Sequence, residues 1–301
     1  MSYILATNNL TKRYGSKNAA DKINIHISKG EVYGLIGRNG AGKTTILKML
    51  SGLSIPTEGD YSINGKSGKE LSSERSKVGT LIENPGLYPN MSAYENLKIK
   101  CIGMGTNSPE YINELLTLVG LSQTGSKKTG NFSLGMKQRL GIALALAGKP
   151  EIIILDEPIN GLDPQGIVEI REIIYRLSKE KGITVIISSH ILDELAKIAD
   201  SYGIIHEGRL VDEMTSEQLD SRCGEFVILR TDNNAKAQEI LASNGITDTS
   251  CVDEETIRIS EQIDNTAEIV NKLVYGGVGI KEITLNKMSL EEYYLKKTGG
   301  C

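Results

Sequence analysis

The chain has 301 residues, 39% of them apolar and 24% charged, with a formal net charge of −4. That length serves one large core or two smaller ones, at roughly 150 residues per domain. The mixed, slightly acidic charge offers no basic face to a phosphate backbone, so stable nucleic-acid binding is not expected.

No stretch approaches the roughly 18 uninterrupted apolar residues of a membrane-spanning helix. The start, Met1-Ser2-Tyr3-Ile4, lacks the basic and apolar runs of a signal peptide, which predicts a cytoplasmic chain. Cys101, Cys223, Cys251 and Cys301 form no C-x-x-C pair and have no histidine near enough to complete a zinc set. They are expected to stay reduced, and Cys301, as the last residue, cannot be the cysteine of a prenylation box.

Residues 4–9, 23–27 and 32–36 read as early strands, and 61–63 as another before the turn signal Asn64-Gly65. Only the third feeds a helix directly. Its exit, Gly37-Arg38-Asn39-Gly40-Ala41-Gly42-Lys43-Thr44, with Thr45 opening a helical run, matches G-x-x-x-x-G-K-[ST] between strand and helix. Glycines there let successive N–H groups face phosphates over the positive end of a helix dipole. Lys43 is expected to hold the β- and γ-phosphates of ATP, and the Thr44 hydroxyl to bind Mg²⁺, which takes oxygen ligands. An ordinary glycine-rich turn is the plain alternative.

Residues 91–146 read as a mostly helical insertion, after which strand character returns at 152–155 and 184–188. These alternations give an α/β fold with a mostly parallel sheet. The apolar strand Ile152-Ile153-Ile154-Leu155 ends in Asp156-Glu157-Pro158. Adjacent carboxylates point apart, so Asp156 is placed toward Mg²⁺ and Glu157 toward the water that attacks the γ-phosphate. A solvated acidic turn is the other reading of that pair. A helix is predicted from Pro164, after Asp163, to the stop at Gly182, with Ile167, Ile170, Ile174 and Leu177 at helical spacing.

Beyond 216 the order strand (226–230), helix (235–242), two short strands around 253–255, helix (267–274), strand (280–285) is βαββαβ, a small ferredoxin-like α+β domain over 217–301. Ser289 and Glu292 announce a capping box and a closing helix.

The glycine-rich loop and the acidic pair, with Phe132-Ser133-Leu134-Gly135-Met136 between them, resemble the nucleotide-binding subunit of an ABC transporter over residues 1 to about 215. That family's signature usually reads Leu-Ser-Gly-Gly-Gln. Here Ser133 and Gly135 match, while Leu134 and Met136 depart. The resemblance implies an ATP- and Mg²⁺-dependent ATPase domain over 1–216, working as a homodimer, or paired with a related chain, beneath a separately encoded membrane permease on the inner face of the membrane. It implies that Ser133 and Gly135 touch the γ-phosphate bound by the other subunit, that Tyr14 stacks on adenine, that Asp163 lies in the dimer-contact loop, and that His190 contacts the γ-phosphate. Each also has a structural reading: cap, surface aromatic, cap and ordinary histidine.

Glu83 stands in Leu81-Ile82-Glu83-Asn84-Pro85 where most of the family carries glutamine, beside Mg²⁺ and the attacking water. This departure, with Phe132-Ser133-Leu134-Gly135-Met136-Lys137-Gln138-Arg139, resembles the subgroup that exports bacitracin, lantibiotics and similar antimicrobial peptides. Another small-molecule or ion cargo is one alternative. A soluble ABC-type ATPase acting on DNA or ribosomes is a more distant one, since that reading lacks a second glycine-rich loop, a coiled-coil insertion and cysteine clusters.

Overall fold

The computed structural model describes residues 3–261 and 263–299. The expectations about the first two residues and about Cys301 fall outside them. By packing the chain divides into two compact units, Met1–Ser216 and Glu217–Cys301.

The first unit runs β1 (Leu5–Tyr14), β2 (Lys17–Ile23), β3 (His26–Ile27), β4 (Val32–Ile36), α1 (Lys43–Leu50), β5 (Glu58–Ile63), α2 (Leu71–Arg75), β6 (Val78–Leu81), α3 (Ala93–Met104), α4 (Pro109–Leu118), α5 (Leu134–Leu146), β7 (Ile152–Asp156), α6 (Pro164–Tyr175), β8 (Thr184–Ser189), α7 (Leu192–Ala196), β9 (Ser201–His206) and β10 (Arg209–Thr215). Helix α8 (Ser216–Arg222) spans the division. Six strands form a sheet of order β10-β9-β4-β8-β7-β6, parallel except for the β9–β10 hairpin. Its central strands β4, β7 and β8 are buried along their whole length, as continuous apolar runs in parallel sheets are. Helices α3 to α5 form the insertion expected between residues 91 and 146. Among the described residues no helix is long and apolar enough to cross a membrane.

Three segments differ from expectation. The first strand continues to Tyr14, five residues beyond 9, because Lys12, Arg13 and Tyr14 pair with Ala20, Asn18 and Lys17 of β2 across the turn at Gly15, a cross-strand pairing of mostly polar residues that alternation does not reveal. The strand expected at 23–27 breaks in two, since the Thr7 hydroxyl donates to the Ile23 carbonyl (2.8 Å) and accepts from the Ile25 N–H (2.7 Å). The helix after Asp163 stays α-helical only to Tyr175 and finishes in a π-helical turn, Arg176–Glu180, before Gly182.

One buried carboxylate stands out in α2. Glu74 in α2 accepts from the Asn64 amide (2.9 Å) and from Lys66 Nζ (2.7 Å), and pairs with Lys77 Nζ at 3.0 Å. The Asn64 hydrogen bond and the two ammonium groups hold its pKa down at about 2, against an ordinary 4.5. A carboxyl whose folded pKa lies below its unfolded one stabilises above the unfolded value and loses that contribution as pH falls toward the folded one. The urea midpoint of Glu74→Gln is therefore expected below wild type at neutral pH, with the gap closing as pH drops from about 4.5 to about 2. A gap of constant size across that range is the contrary result.

The second unit runs β11 (Glu225–Thr231), α9 (Asn234–Ser243), β12 (Thr249–Cys251), β13 (Thr256–Ile259), α10 (Thr266–Tyr275), β14 (Ile280–Lys287) and α11 (Leu290–Thr298). Its four strands are antiparallel in the order β12-β13-β11-β14, over a core that includes Val227, Leu229, Leu241, Ile257, Ile259 and Leu273. Ser289 and Glu292 exchange both hydrogen bonds of the capping box that opens α11.

Candidate active site

The site follows from strand register. Ile36 at the end of β4 lies opposite Ser189 of β8, and Asp156 at the end of β7 lies opposite Ser188. Gly37, Glu157 and His190 are thus the next residues out from three neighbouring parallel strands, at their carboxyl ends, where open α/β sheets place ligands.

The loop after β4 wraps tightly. Gly42 has φ +111°, and a Cβ there would meet the Ala19 carbonyl oxygen at 2.3 Å; a Cβ on Gly37 would meet the Ile205 carbonyl oxygen at 2.6 Å. Helix α1 opens at Lys43 with no side-chain cap and no acid in its first turn, leaving its N–H groups and dipole free for an anion. A cavity of about 700 Å³ lies over this end, lined by residues 38–45 of the loop and α1, by Glu157, by Lys17-Asn18-Ala19 of β2, and by the His206-Glu207-Gly208 turn.

Lys43 is buried. Its Nζ donates to the Gly37 carbonyl (2.6 Å) and sits 3.0 Å from Glu157 Oε1. Glu157 Oε2 lies 2.7 Å from His190 Nδ1. Oε1 is buried and makes only the ionic contact, with no hydrogen bond of its own, so it retains the capacity to accept one. Glu157 has φ +50°, a left-handed backbone that costs a non-glycine residue on the order of 1–3 kcal/mol. Strand alternation alone would separate the two carboxylates. This turn brings both to the glycine-rich loop, since Asp156 Oδ2 accepts from the Thr44 hydroxyl at 2.8 Å.

Ser188, which sequence reasoning missed, joins the two carboxylates. Its hydroxyl donates to Asp156 Oδ1 (2.5 Å) and accepts from the Glu157 N–H (2.9 Å). Its only signal in the sequence was adjacency to His190. The Thr44 and Asp156 oxygens suit a small hard cation such as Mg²⁺, which takes oxygen ligands and keeps several waters.

Glu83 comes off β6 with φ +65°. Its Oε1 rests 2.5 Å from Lys48 Nζ on α1, rather than on the Thr44–Asp156 pair. Both side chains are substantially exposed, so the pair adds only about 0–1 kcal/mol to stability. The Lys48 ammonium pKa is raised, first by its hydrogen bond to Glu83.

The remaining residues fall outside the cavity wall. Ser133 caps α5, its hydroxyl accepting from the Met136 N–H (3.3 Å), and Asp163 caps α6 by accepting from the Gly166 N–H (3.0 Å). These two caps adjoin, because the Leu134 side chain reaches Gly161 and the Leu162 side chain reaches Gly135. Ser133, Gly135 and Asp163 therefore form a second cluster, apart from the residues that line the cavity over α1. Tyr14 is 55% exposed, with Lys12 Nζ 5.2 Å from its ring centroid. Its neighbours Arg13 and Gly15 line a shallower cavity that shares Asn18, His206 and Glu207 with the first.

Comparison with known proteins adds three findings. The family model described as ABC transporter matches residues 20–160. A bacitracin transport ATP-binding protein of Enterococcus faecalis is 44% identical over 301 residues, 100% of this chain and 98% of its own, and a lantibiotic transport ATP-binding protein of Streptococcus pyogenes is 47% identical over 210 residues, 70% of this chain and 90% of its own. Among solved structures, cbiO1 from Clostridium perfringens, part of an ABC transporter complex, matches with TM-score 0.66 and 29% identity over 73% of this chain and 92% of that one. A dimeric ATP-binding cassette in a post-hydrolysis state with ADP and Pi matches with TM-score 0.62 and 26% identity over 70% of this chain and 98% of that one.

Proposed function

Since this chain belongs to the ABC transporter family, we propose that it is the ATP-hydrolysing subunit of an exporter for antimicrobial peptides of the bacitracin or lantibiotic kind, held at the inner face of the membrane by a separately encoded permease. It hydrolyses ATP, and its first unit has the ATP-binding cassette fold. The cargo assignment rests on the full-length likeness to a bacitracin transport protein, which includes residues 217–301. The second unit, with its βαββαβ order and antiparallel sheet, reads as a ferredoxin-like accessory domain.

Two copies, or one copy and a related chain, close on two ATP molecules. The N–H groups from Gly37, Asn39, Gly40, Ala41, Gly42, Lys43, Thr44 and Thr45, with the Lys43 ammonium, bind the triphosphate, and Tyr14 offers its exposed ring to the adenine. Thr44 and Asp156, joined by Glu83, hold Mg²⁺, which when bound neutralises charge that develops on the phosphates. Glu157 takes a proton from the attacking water through Oε1, while His190 fixes the carboxylate through Oε2 and Ser188 holds the Glu157 backbone. Ser133 and Gly135 of the second copy bring the dipole end of α5 to the γ-phosphate. The observation that carries the enzymatic reading is the buried Glu157 Oε1, ion-paired to Lys43 at 3.0 Å and without a hydrogen bond. That is the acceptor which proton abstraction beside a P-loop requires.

Affinity capture tests the partner. Tagged Glu157→Gln chain, incubated with ATP and detergent-solubilised membranes of its host, is expected to retain a multi-span permease. Cells holding the chain with that permease should survive higher bacitracin or lantibiotic concentrations than cells lacking it. Capture of ribosomal or DNA-bound proteins, with the chain in the soluble fraction, would overturn the transporter assignment. Capture of the permease without peptide resistance would overturn only the cargo.

A further inference from the structure

Lys48 belongs to no motif, yet it holds Glu83, the acidic residue that follows β6. Helix α1 buries Ile46, Leu47, Met49 and Leu50 and presents Lys48 to the Glu83 carboxylate at 2.5 Å. Thr44 and Lys48 are four residues apart on α1, hence on the same face and about 6 Å from each other along the axis. Thr44 in turn donates to Asp156. The Asp156 carboxylate also acts electrostatically on the Lys48 ammonium, which places the Lys48–Glu83 pair near the oxygens proposed to hold Mg²⁺. Glu83 stands on a left-handed turn with its side chain 62% exposed, so that side chain has room to rotate.

Charge decides why the pairing matters. Asp156, Glu157 and Glu83 place three carboxylates around a site for a polyanion. Lys43 answers Glu157 at 3.0 Å, and Lys48 answers Glu83. An exposed pair of this kind contributes little to folding, so its consequence is for what binds nearby.

We propose that Lys48 is a positioning residue: it neutralises Glu83 beside the nucleotide phosphates and keeps that carboxylate parked on α1 until Mg²⁺ arrives with the nucleotide and draws it to the Thr44–Asp156 oxygens. This rests on the nucleotide-binding reading above. Without Lys48, an unpaired Glu83 repels metal-free nucleotide, whereas Mg²⁺ gives the carboxylate a partner and removes most of the penalty. Lys48→Met is thus expected to raise the ratio of metal-free to Mg²⁺-loaded dissociation constants by about tenfold, the size of one unit charge acting across several ångströms near a protein surface. In a Glu83→Gln background the same substitution still removes the Lys48 charge but exposes no carboxylate that Mg²⁺ could take up, so the rise should be several-fold smaller.

The test uses the full chain and the non-hydrolysable analogue β,γ-imido-ATP, titrated calorimetrically in EDTA and in excess Mg²⁺. The proteins are wild type, Lys48→Met, Glu83→Gln and the double variant, with Lys48→Gln as a second neutral replacement and Lys48→Arg as the conservative one. Support is a rise several-fold larger in the neutral variants that retain Glu83 than in the double variant, with Lys48→Arg within about twofold of wild type. An unchanged ratio in Lys48→Met, or an equal rise in both backgrounds, overturns the proposal and leaves nucleotide binding intact. Failure of wild type to bind the analogue under either condition overturns the nucleotide reading itself, and this inference with it.

Discussion

Glu157→Gln is expected to slow ATP hydrolysis by about 10²–10⁴-fold while leaving nucleotide affinity within a few-fold of wild type. The amide keeps the shape of the side chain and a carbonyl oxygen to face His190. It loses the negative charge that meets Lys43 at 3.0 Å and the basicity that takes a proton from water. Binding survives because the triphosphate is held by the loop N–H groups, the Lys43 ammonium and the α1 dipole, none of which the substitution removes. With turnover blocked, ATP stays between the subunits, so the variant should elute as a dimer in ATP and as a monomer without it. Phosphate release at the wild-type rate would remove Glu157 from the role of base and leave His190 as the nearest titratable group to take its place.

Gly135→Asp is expected to lower hydrolysis by about 10²-fold or more, comparable to losing a charge-stabilising donor at a reacting phosphate, and to abolish the ATP-dependent dimer. What makes this substitution informative is the space around it. A Cβ at Gly135 meets only the Leu162 side chain, at 3.8 Å, and the residue is not in a left-handed conformation, so its own subunit accommodates the change. Ser133 still caps α5, the glycine-rich loop is untouched, and the cavity over α1 does not include residue 135. Thermal midpoint and binding of β,γ-imido-ATP should therefore match wild type, while the carboxylate repels a phosphate presented by a second copy. If the variant hydrolyses ATP normally, the α5 terminus is a structural cap, and the site is complete within one chain.

The chemistry legible in the amino-acid order is the contiguous kind. The glycine-rich loop, the strand of isoleucines ending in two acids, and the caps at Ser133, Asp163 and Ser289 each declare themselves within a few residues. Their local geometry is also set locally, by glycine φ angles, buried apolar runs and side chains that reach only three residues ahead. The same locality explains the errors. The β1–β2 hairpin pairs polar residues, the Thr7 hydroxyl breaks a run that reads as one strand, and the β9–β10 hairpin supplying the His206-Glu207-Gly208 wall carries no motif.

Which reactive groups the chain carries, and at which ends of which elements they sit, follows from short-range patterns: a glycine-rich phosphate loop, an acidic strand end and a helix cap. How those groups meet is a property of the packed sheet. The register that sets Ile36 against Ser189 and Asp156 against Ser188, the left-handed turns at Glu83 and Glu157, the Ser188 bridge and the Lys48–Glu83 pair join residues up to 153 positions apart, as Ile36 and Ser189 are. Such pairings depend on which buried strand lies beside which. Strands as uniformly apolar as β4, β7 and β8 have many near-equivalent registers until helices and loops on both faces select one.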